Sequence, residues 1–93
     1  MKFIVHHKML KGAEESLAWW AEAAPQIKAA NLAGQLPAKL LYTWRPDLTQ
    51  TPVAFCLWEA EGPEQVQVSL EAGGILEWMS AEIMPVEETD WLA

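Results

Sequence analysis

Two segments of this chain carry apolar side chains at both odd and even positions, which restricts the available folds more than any other feature. In residues 2–9, Phe3 and Val5 alternate with Ile4. In residues 53–60 the two alternating sets are Val53, Phe55 and Leu57, and Ala54, Cys56 and Trp58. Successive side chains of a β-strand point to opposite faces of its sheet. Both segments are therefore predicted to be central strands that are covered on both faces.

The spacing of apolar residues changes to a helical one over residues 13–32. Its apolar stripe has steps of three, four and three residues and consists of Leu17, Trp20, Ala24 and Ile27. That spacing predicts an amphipathic α-helix, which Gly34 is suited to end. Pro25 lacks a backbone donor, so we expect either a kink there or two consecutive helical pieces.

The remaining segments complete a regular alternation of elements. Residues 38–44 alternate as a second strand, in which Leu40, Tyr42 and Trp44 share a face, and residues 45–52 are predicted to be a loop. A second helix is predicted to begin at Gly62-Pro63-Glu64 and to end at Gly73-Gly74. Residues 77–86 are predicted to form the fourth strand.

The predicted order is strand, helix, strand, strand, helix, strand. Right-handed crossovers then give an α+β, ferredoxin-like βαββαβ fold with an antiparallel sheet in the order 4-1-3-2. This order makes the first and third strands central, which agrees with their two apolar faces. We expect one domain over residues 1–93, with an acidic C-terminal tail at 87–93.

Two helices cover only one face of such a sheet. Depending on register, the other face would carry either Trp58 with Ala54 and Cys56, or Tyr42 with Trp44. An apolar face of that size calls for a partner, and the simplest partner is a second copy of the chain. The sequence therefore predicts a homodimer that forms a dimeric α/β barrel, with Trp91 and Leu92 contacting the neighbouring subunit.

Composition narrows the classes of partner. With 13 acidic and 6 basic side chains among 93 residues, the net charge of −7 argues against binding to nucleic acid or an anionic membrane. One cysteine forms no internal disulfide and builds no zinc site by itself. No apolar stretch reaches the length of a signal peptide or a membrane span. We expect a cytoplasmic protein without a metal or a cofactor.

Three segments resemble the small bacterial dimeric α/β-barrel proteins, and in particular one family of unknown function. The segments are Met1–Val5, Phe55–Glu64 with its aromatic-x-Leu-x-Glu-Ala strand end, and Ala81–Val86 with its Glu-Ile-x-Pro-Val strand. The resemblance implies a ferredoxin-like fold, a bacterial origin and a dimer. It supplies no catalytic residues.

Few side chains are candidates for chemistry. His6 and His7 are adjacent on a strand, so they face opposite ways and cannot chelate one metal ion, but either is a candidate acid or base. Cys56 would form a nucleophile pair with His6 only if the two shared a face, and buried single cysteines are usually inert. Glu59 and Glu82 are either cleft carboxylates or ordinary solvated ones.

Six tryptophans are more than a core of this size needs. We expect either an aromatic-lined cavity between sheet and helices or a surface for another protein. The candidate ligand-binding or partner-binding residues are Trp58, Tyr42, Trp44, Trp78, Trp20 and Arg45.

Two functions fit these features. The favoured one is a non-catalytic homodimer that acts as a binding or regulatory protein, contacting a partner protein or a small apolar ligand through its tryptophans. The alternative is a cofactor-independent enzyme of the isomerase or monooxygenase type, acting on a small aromatic or lactone substrate. In it His6 or His7 is the base, and Arg45 or Trp58 positions the substrate. The enzyme requires one histidine to line a closed cavity.

Overall fold

Six helices and strands follow one another along the chain in a computed structural model that describes residues 1–93. They are β1 (Lys2–Lys8), α1 (Ala13–Leu32), β2 (Lys39–Trp44), β3 (Val53–Glu59), α2 (Pro63–Ala72) and β4 (Glu82–Val86). All neighbouring strands are antiparallel, in the order β2-β3-β1-β4. Counted from the other edge, this is the predicted order 4-1-3-2, so the α+β, ferredoxin-like arrangement is confirmed.

The central strands β1 and β3 fix which side chains face the helices. Phe3 lies opposite Trp58, and Val5 lies opposite Cys56. All four are buried, because both helices lie on this side of the sheet. The core between sheet and helices consists of Phe3, Val5, Ile27, Ala38, Cys56, Trp58, Val66, Leu70, Ile75 and Met79.

The other side of the sheet, here called the open face, has no helix over it. The strand register gives it an apolar set consisting of Ile4, Tyr42, Trp44, Val53, Phe55, Leu57, Met84 and Val86. Tyr42 is 63% exposed and Trp44 is 49% exposed, and their rings stack with centroids 5.8 Å apart. Of the two sets expected for this face, the structure selects the one with Tyr42 and Trp44.

A β-bulge in β2 places Tyr42 and Trp44 on the open face. The pairing shifts between Leu40, which lies opposite Trp58, and Tyr42, which lies opposite Leu57. Leu41 is the extra residue, and such a bulge moves the following side chains to the opposite face. The prediction that Leu40 shares a face with Tyr42 is therefore wrong, and Leu40 packs against the core.

Helix α1 is one element of 20 residues, so the alternative of two consecutive helical pieces is wrong. Pro25 lies inside it, on the exposed side. The carbonyl that loses its usual partner belongs to Ala21, which is also exposed and therefore accessible to water. No helix combines the length and apolar character that crossing a bilayer requires.

The fourth strand is shorter than predicted, because residues 77–81 do not belong to it. Gly74 has a φ of 71°, and a 3₁₀ turn follows at Ile75–Glu77. The backbone N–H groups of Trp78 and Met79 donate to the carbonyl oxygen of Ile75 at 3.0 and 2.9 Å, so this segment makes only an isolated bridge, between Met79 and Met9, before β4 begins.

Candidate functional site

The two adjacent histidines of β1 lie on opposite faces of the sheet, as the strand period predicts. His6 is on the open face, where its ring stacks on Phe55 with centroids 5.0 Å apart. Its Nδ1 atom is 3.8 Å from a carboxylate oxygen of Glu82. His7 faces the helices and is 1% exposed. The two rings therefore occupy separate environments and cannot serve one site together.

A small chamber between the sheet and α1 borders the ring of His7. Its lining is mainly apolar and includes Leu17, Trp20, Leu48, Ile75 and Met79. The enclosed volume is about 20 Å³. That is the space of roughly one water molecule. The enzyme alternative requires one histidine to line a closed cavity, and His7 lines a cavity that is partly open to solvent.

A backbone carbonyl fixes which nitrogen of His7 carries the proton. Nδ1 lies 3.0 Å from the carbonyl oxygen of Ser80, which only accepts hydrogen bonds, so Nδ1 is the protonated donor. Burial lowers the pKa of His7 and outweighs the opposite effect of the Ser80 hydrogen bond, so the ring is neutral at pH 7. Nε2 is then an unprotonated acceptor, and it is buried without a hydrogen-bond partner in the protein.

Ser16 brings a second unpaired polar atom to the same chamber. It lies in the first part of α1, one helical turn before Trp20, and is 1% exposed. Its backbone N–H donates to Gly12, but its Oγ is buried without any partner. Leaving a buried polar atom unpaired costs about 1–3 kcal/mol. Both His7 and Ser16 line the chamber, so two residues with an unpaired buried polar atom meet at its largely apolar walls.

The loop between β2 and β3 contributes one buried side chain, Leu48, to the lining of the chamber. It is 5% exposed although it lies on a loop. Asp47 holds the turn, since its Oδ1 accepts hydrogen bonds from the N–H and the hydroxyl of Thr49 at 3.0 and 2.7 Å. These bonds lower the pKa of Asp47. Arg45 also borders the chamber and is exposed, so it marks the side that faces solvent.

Cys56 lines the chamber as a thiol. Burial raises its pKa, which the contact between its Sγ and Thr43 Oγ1, at 3.5 Å, only partly offsets. The conceivable pairing of Cys56 with His6 is wrong, because Cys56 lies opposite Val5 on the helix side while His6 is on the open face. The thiol has no charged neighbour that would activate it.

The predicted aromatic residues divide among several places. Trp58 is fully buried in the core, so the expectation that it contacts a partner or positions a substrate is wrong. Trp20 lines the chamber. Trp78 lies outside it, stacked on Trp19 with centroids 5.4 Å apart and with the Lys11 ammonium 4.2 Å from its ring.

Neither candidate carboxylate nor the tail reaches the chamber. Glu59 and Glu82 are exposed on the open-face side of β3 and β4. Trp91 is 90% exposed and Leu92 is 98% exposed, so neither packs against its own chain. No three of the His, Cys, Asp and Glu side chains lie close enough together to hold one metal ion.

Sequence reasoning did not identify Ser16 and Leu48. Ser16 precedes Trp20 by four residues, and residues at that spacing share a helix face. That spacing was the available signal, although a serine near a helix start usually indicates capping. Leu48 was hidden in a segment that two prolines and an aspartate mark as a loop.

No protein-family model matches the chain, and no curated protein matches it either.

Proposed function

We propose that this protein is a homodimeric binding protein in which each chain takes a small, largely apolar ligand into the chamber beneath α1. One observation carries the proposal: His7 and Ser16 line the same apolar chamber, and the buried Nε2 of His7 and the buried Oγ of Ser16 have no partner in the protein. Buried polar atoms in proteins are nearly always hydrogen-bonded. A ligand that bonds to both would recover the free energy that their burial costs.

The chemistry of the chamber defines the ligand. Because Nε2 of His7 is an acceptor, the ligand has a hydroxyl or N–H group that donates to it. The hydroxyl of Ser16 both donates and accepts, so it suits the same polar group. The apolar walls favour a neutral, flat or compact body, since burying a charge there without an ion partner is costly.

The closed chamber is too small for such a ligand, so one lining residue has to move. Leu48 is a buried lining residue on the loop between β2 and β3, outside the helices and strands. The turn held by Asp47 and Thr49 is exposed, so it moves without disturbing the sheet. The ligand's apolar body then occupies the position of the Leu48 side chain.

The dimer part of the proposal concerns the open face. Tyr42, Trp44 and Phe55 together expose a contiguous apolar surface that water meets in a single chain. The same face also carries charges of both signs, Lys2 and Lys8 on β1 and Glu82 on β4. A surface with both signs is able to pair with itself about a two-fold axis. The resemblance to dimeric α/β-barrel proteins implies the same arrangement.

Phenol and toluene test the ligand site, because they share a shape and differ in one donor. Tryptophan fluorescence titrations of Leu48→Ala, which opens room in the chamber, should show phenol binding at least tenfold more tightly than toluene. The preference should disappear in Leu48→Ala combined with His7→Leu. Val68→Ala, an exposed position on α2, is the control for nonspecific binding. Equal affinities for phenol and toluene, or no binding of either, would contradict the proposed site.

Sedimentation velocity at micromolar concentration tests the dimer. The wild-type chain and Val68→Lys should sediment as dimers, whereas Phe55→Lys, which places a charge in the centre of the open face, should sediment as a monomer. A monomeric wild-type protein would contradict the proposed dimer. It would not affect the proposed ligand site, which the phenol and toluene titrations test separately.

A second function has an observation of its own. His7 is neutral, buried and held by Ser80 with Nε2 unprotonated, which is the state that a general base requires. In a cofactor-independent enzyme it would take a proton from carbon in a small aromatic lactone. The probe is 2-coumaranone in D₂O, followed by NMR. Deuterium exchange above the buffer rate that disappears in His7→Leu supports the enzyme, and exchange at the buffer rate supports the binding protein.

A further inference from the structure

A shallow groove runs between the second half of α1 and the edge strand β2, outside the chamber. Its floor is apolar and includes Ala24, Ile27 and Leu41. Lys28 and Lys39 lie along it, and its lining has no acidic residue. The groove has a volume of about 460 Å³. In a chain with 13 acidic and 6 basic residues, a groove that carries two lysines and no acid is unusual.

Both lysines are available to a partner. The ion pairs of the chain join Lys2 to Glu88, His6 to Glu82 and Lys11 to Glu77. Lys28 and Lys39 take part in none of them and are exposed. Leu32, which also lines the groove, is 76% exposed. The groove therefore offers apolar contact and positive charge together.

The tail, residues 87–93, has the complementary chemistry. It carries Glu87, Glu88 and Asp90 with no basic residue, followed by the almost fully exposed Trp91 and Leu92. The backbone N–H of Leu92 donates to Asp90 Oδ1 at 2.9 Å, which forms a local turn. The ion pair between Lys2 and Glu88 holds the start of the tail beside β1.

We propose that the tail of a second copy lies in this groove, with Trp91 and Leu92 on the apolar floor and the tail carboxylates beside Lys28 and Lys39. The inference rests on the proposed homodimer and names which segment completes its interface. Desolvated aromatic side chains commonly dominate the binding free energy of an interface, and opposite charges fix its register.

The topology favours the partner's tail over the chain's own. The tail follows β4, and β4 and β2 are the two opposite edges of the sheet, about 14 Å apart at the usual strand spacing. When two such sheets pack face to face about an axis parallel to their strands, the partner's β4 lies across from β2. The sheets are then about 10 Å apart, which a few extended residues span at about 3.3 Å each.

Disulfide trapping between two different chains tests this placement. An affinity-tagged Leu32→Cys chain is mixed with an untagged Leu92→Cys chain, oxidised briefly, and the cross-linked peptides are identified by mass spectrometry. We expect a disulfide that joins the two substituted positions in different chains. The matched control replaces Leu32→Cys with Val68→Cys, on the exposed side of α2, and should give at least tenfold less product.

Dimer affinity gives an independent measurement. Trp91→Ala with Leu92→Ala, and separately Lys28→Glu with Lys39→Glu, should each weaken the dimer at least tenfold in sedimentation equilibrium. Adding Glu87→Lys and Asp90→Lys to the Lys28→Glu, Lys39→Glu chain should restore it. A dimeric wild type whose cysteine variants give no mixed disulfide would overturn the tail placement alone. So would a chain that carries both Leu32→Cys and Leu92→Cys and forms its disulfide within itself. A monomeric wild type overturns the dimer as well.

Discussion

The Nδ1 atom of His7 lies 3.0 Å from the carbonyl oxygen of Ser80, and this one contact defines the character of the chamber. Because the carbonyl accepts a hydrogen bond from Nδ1–H, the buried Nε2 is left as a free acceptor. The strand that carries His7 pairs with a strand on each side, so the sheet positions the acceptor before any ligand arrives. Preorganised polar groups of this kind lower the entropic cost of binding.

The stability of the protein should fall in mild acid because of His7. Above about pH 6.5, the ordinary pKa of histidine, the ring is neutral in both the folded and the unfolded chain. Below that pH the unfolded chain takes up the proton first, because burial lowers the pKa of His7 in the folded state. The free energy of unfolding then decreases by up to about 1.4 kcal/mol per pH unit until the lowered pKa is reached.

Urea denaturation between pH 7.5 and 5 measures this effect. His7→Leu should lose most of the slope, and Val68→Ala, at an exposed position on α2, should keep it. Equal slopes in the wild type and His7→Leu would contradict a neutral, buried His7.

Two buried serines should respond in opposite ways to substitution by alanine. Ser16→Ala removes an unpaired hydroxyl and introduces a better helix former, so it should raise the free energy of unfolding by about 1 kcal/mol. The Oγ of Ser69 instead donates to the Gln65 carbonyl at 2.8 Å and accepts from the Ala38 N–H at 2.9 Å. Ser69→Ala should therefore destabilise the chain by about 1–3 kcal/mol.

Chemical denaturation of Ser16→Ala and Ser69→Ala measures the two changes in the free energy of unfolding. Ser16→Ala should also weaken phenol binding in the Leu48→Ala background. Loss of stability in Ser16→Ala would mean that its hydroxyl has a partner.

Trp58 should behave as a core residue. Trp58→Ala should lower the free energy of unfolding by about 3–5 kcal/mol, since the side chain is fully buried. Trp58→Phe should cost much less, because it also removes the indole N–H, which is buried without a partner. Denaturation curves at one protein concentration compare the two variants. A negligible cost for Trp58→Ala would show that the residue is not in the core.

Replacing each of the two adjacent glycines after α2 by alanine should change the stability of the protein by different amounts. Gly74 has a φ of 71°, which strains any residue with a Cβ, so Gly74→Ala should lower stability by about 1 kcal/mol. Gly73 has a φ of −80°, and a Cβ there would make ordinary contacts with Ile27 and Ile75 at 3.4 Å. Gly73→Ala should be neutral or slightly stabilising, as a comparison of melting temperatures will show. Equal losses would contradict the left-handed conformation of Gly74.

The features that the sequence revealed are those that depend on local period. Alternation with a period of two located the central strands and placed His6 and His7 on opposite faces. The stripe through Trp20 and Ile27 located α1. The helix continues through Pro25, because the carbonyl of Ala21 that loses its partner is exposed to water.

The features that it hid depend on register and packing. One extra residue at Leu41 decides that Tyr42 and Trp44 face outward. Trp58 was expected in a binding surface, and only its pairing with Phe3 shows that it faces the core. Ser16 and Leu48 both line the chamber although they lie in different parts of the chain. No local sequence pattern indicates that they are close in space.

The most direct test of the ligand site is the ¹⁵N NMR spectrum of the His7 ring at pH 7, before and after phenol is added to Leu48→Ala. The account predicts a protonated Nδ1 and an unprotonated Nε2, whose resonance moves upfield when phenol donates to it. A ring with both nitrogens protonated, or with the proton on Nε2, would contradict the account.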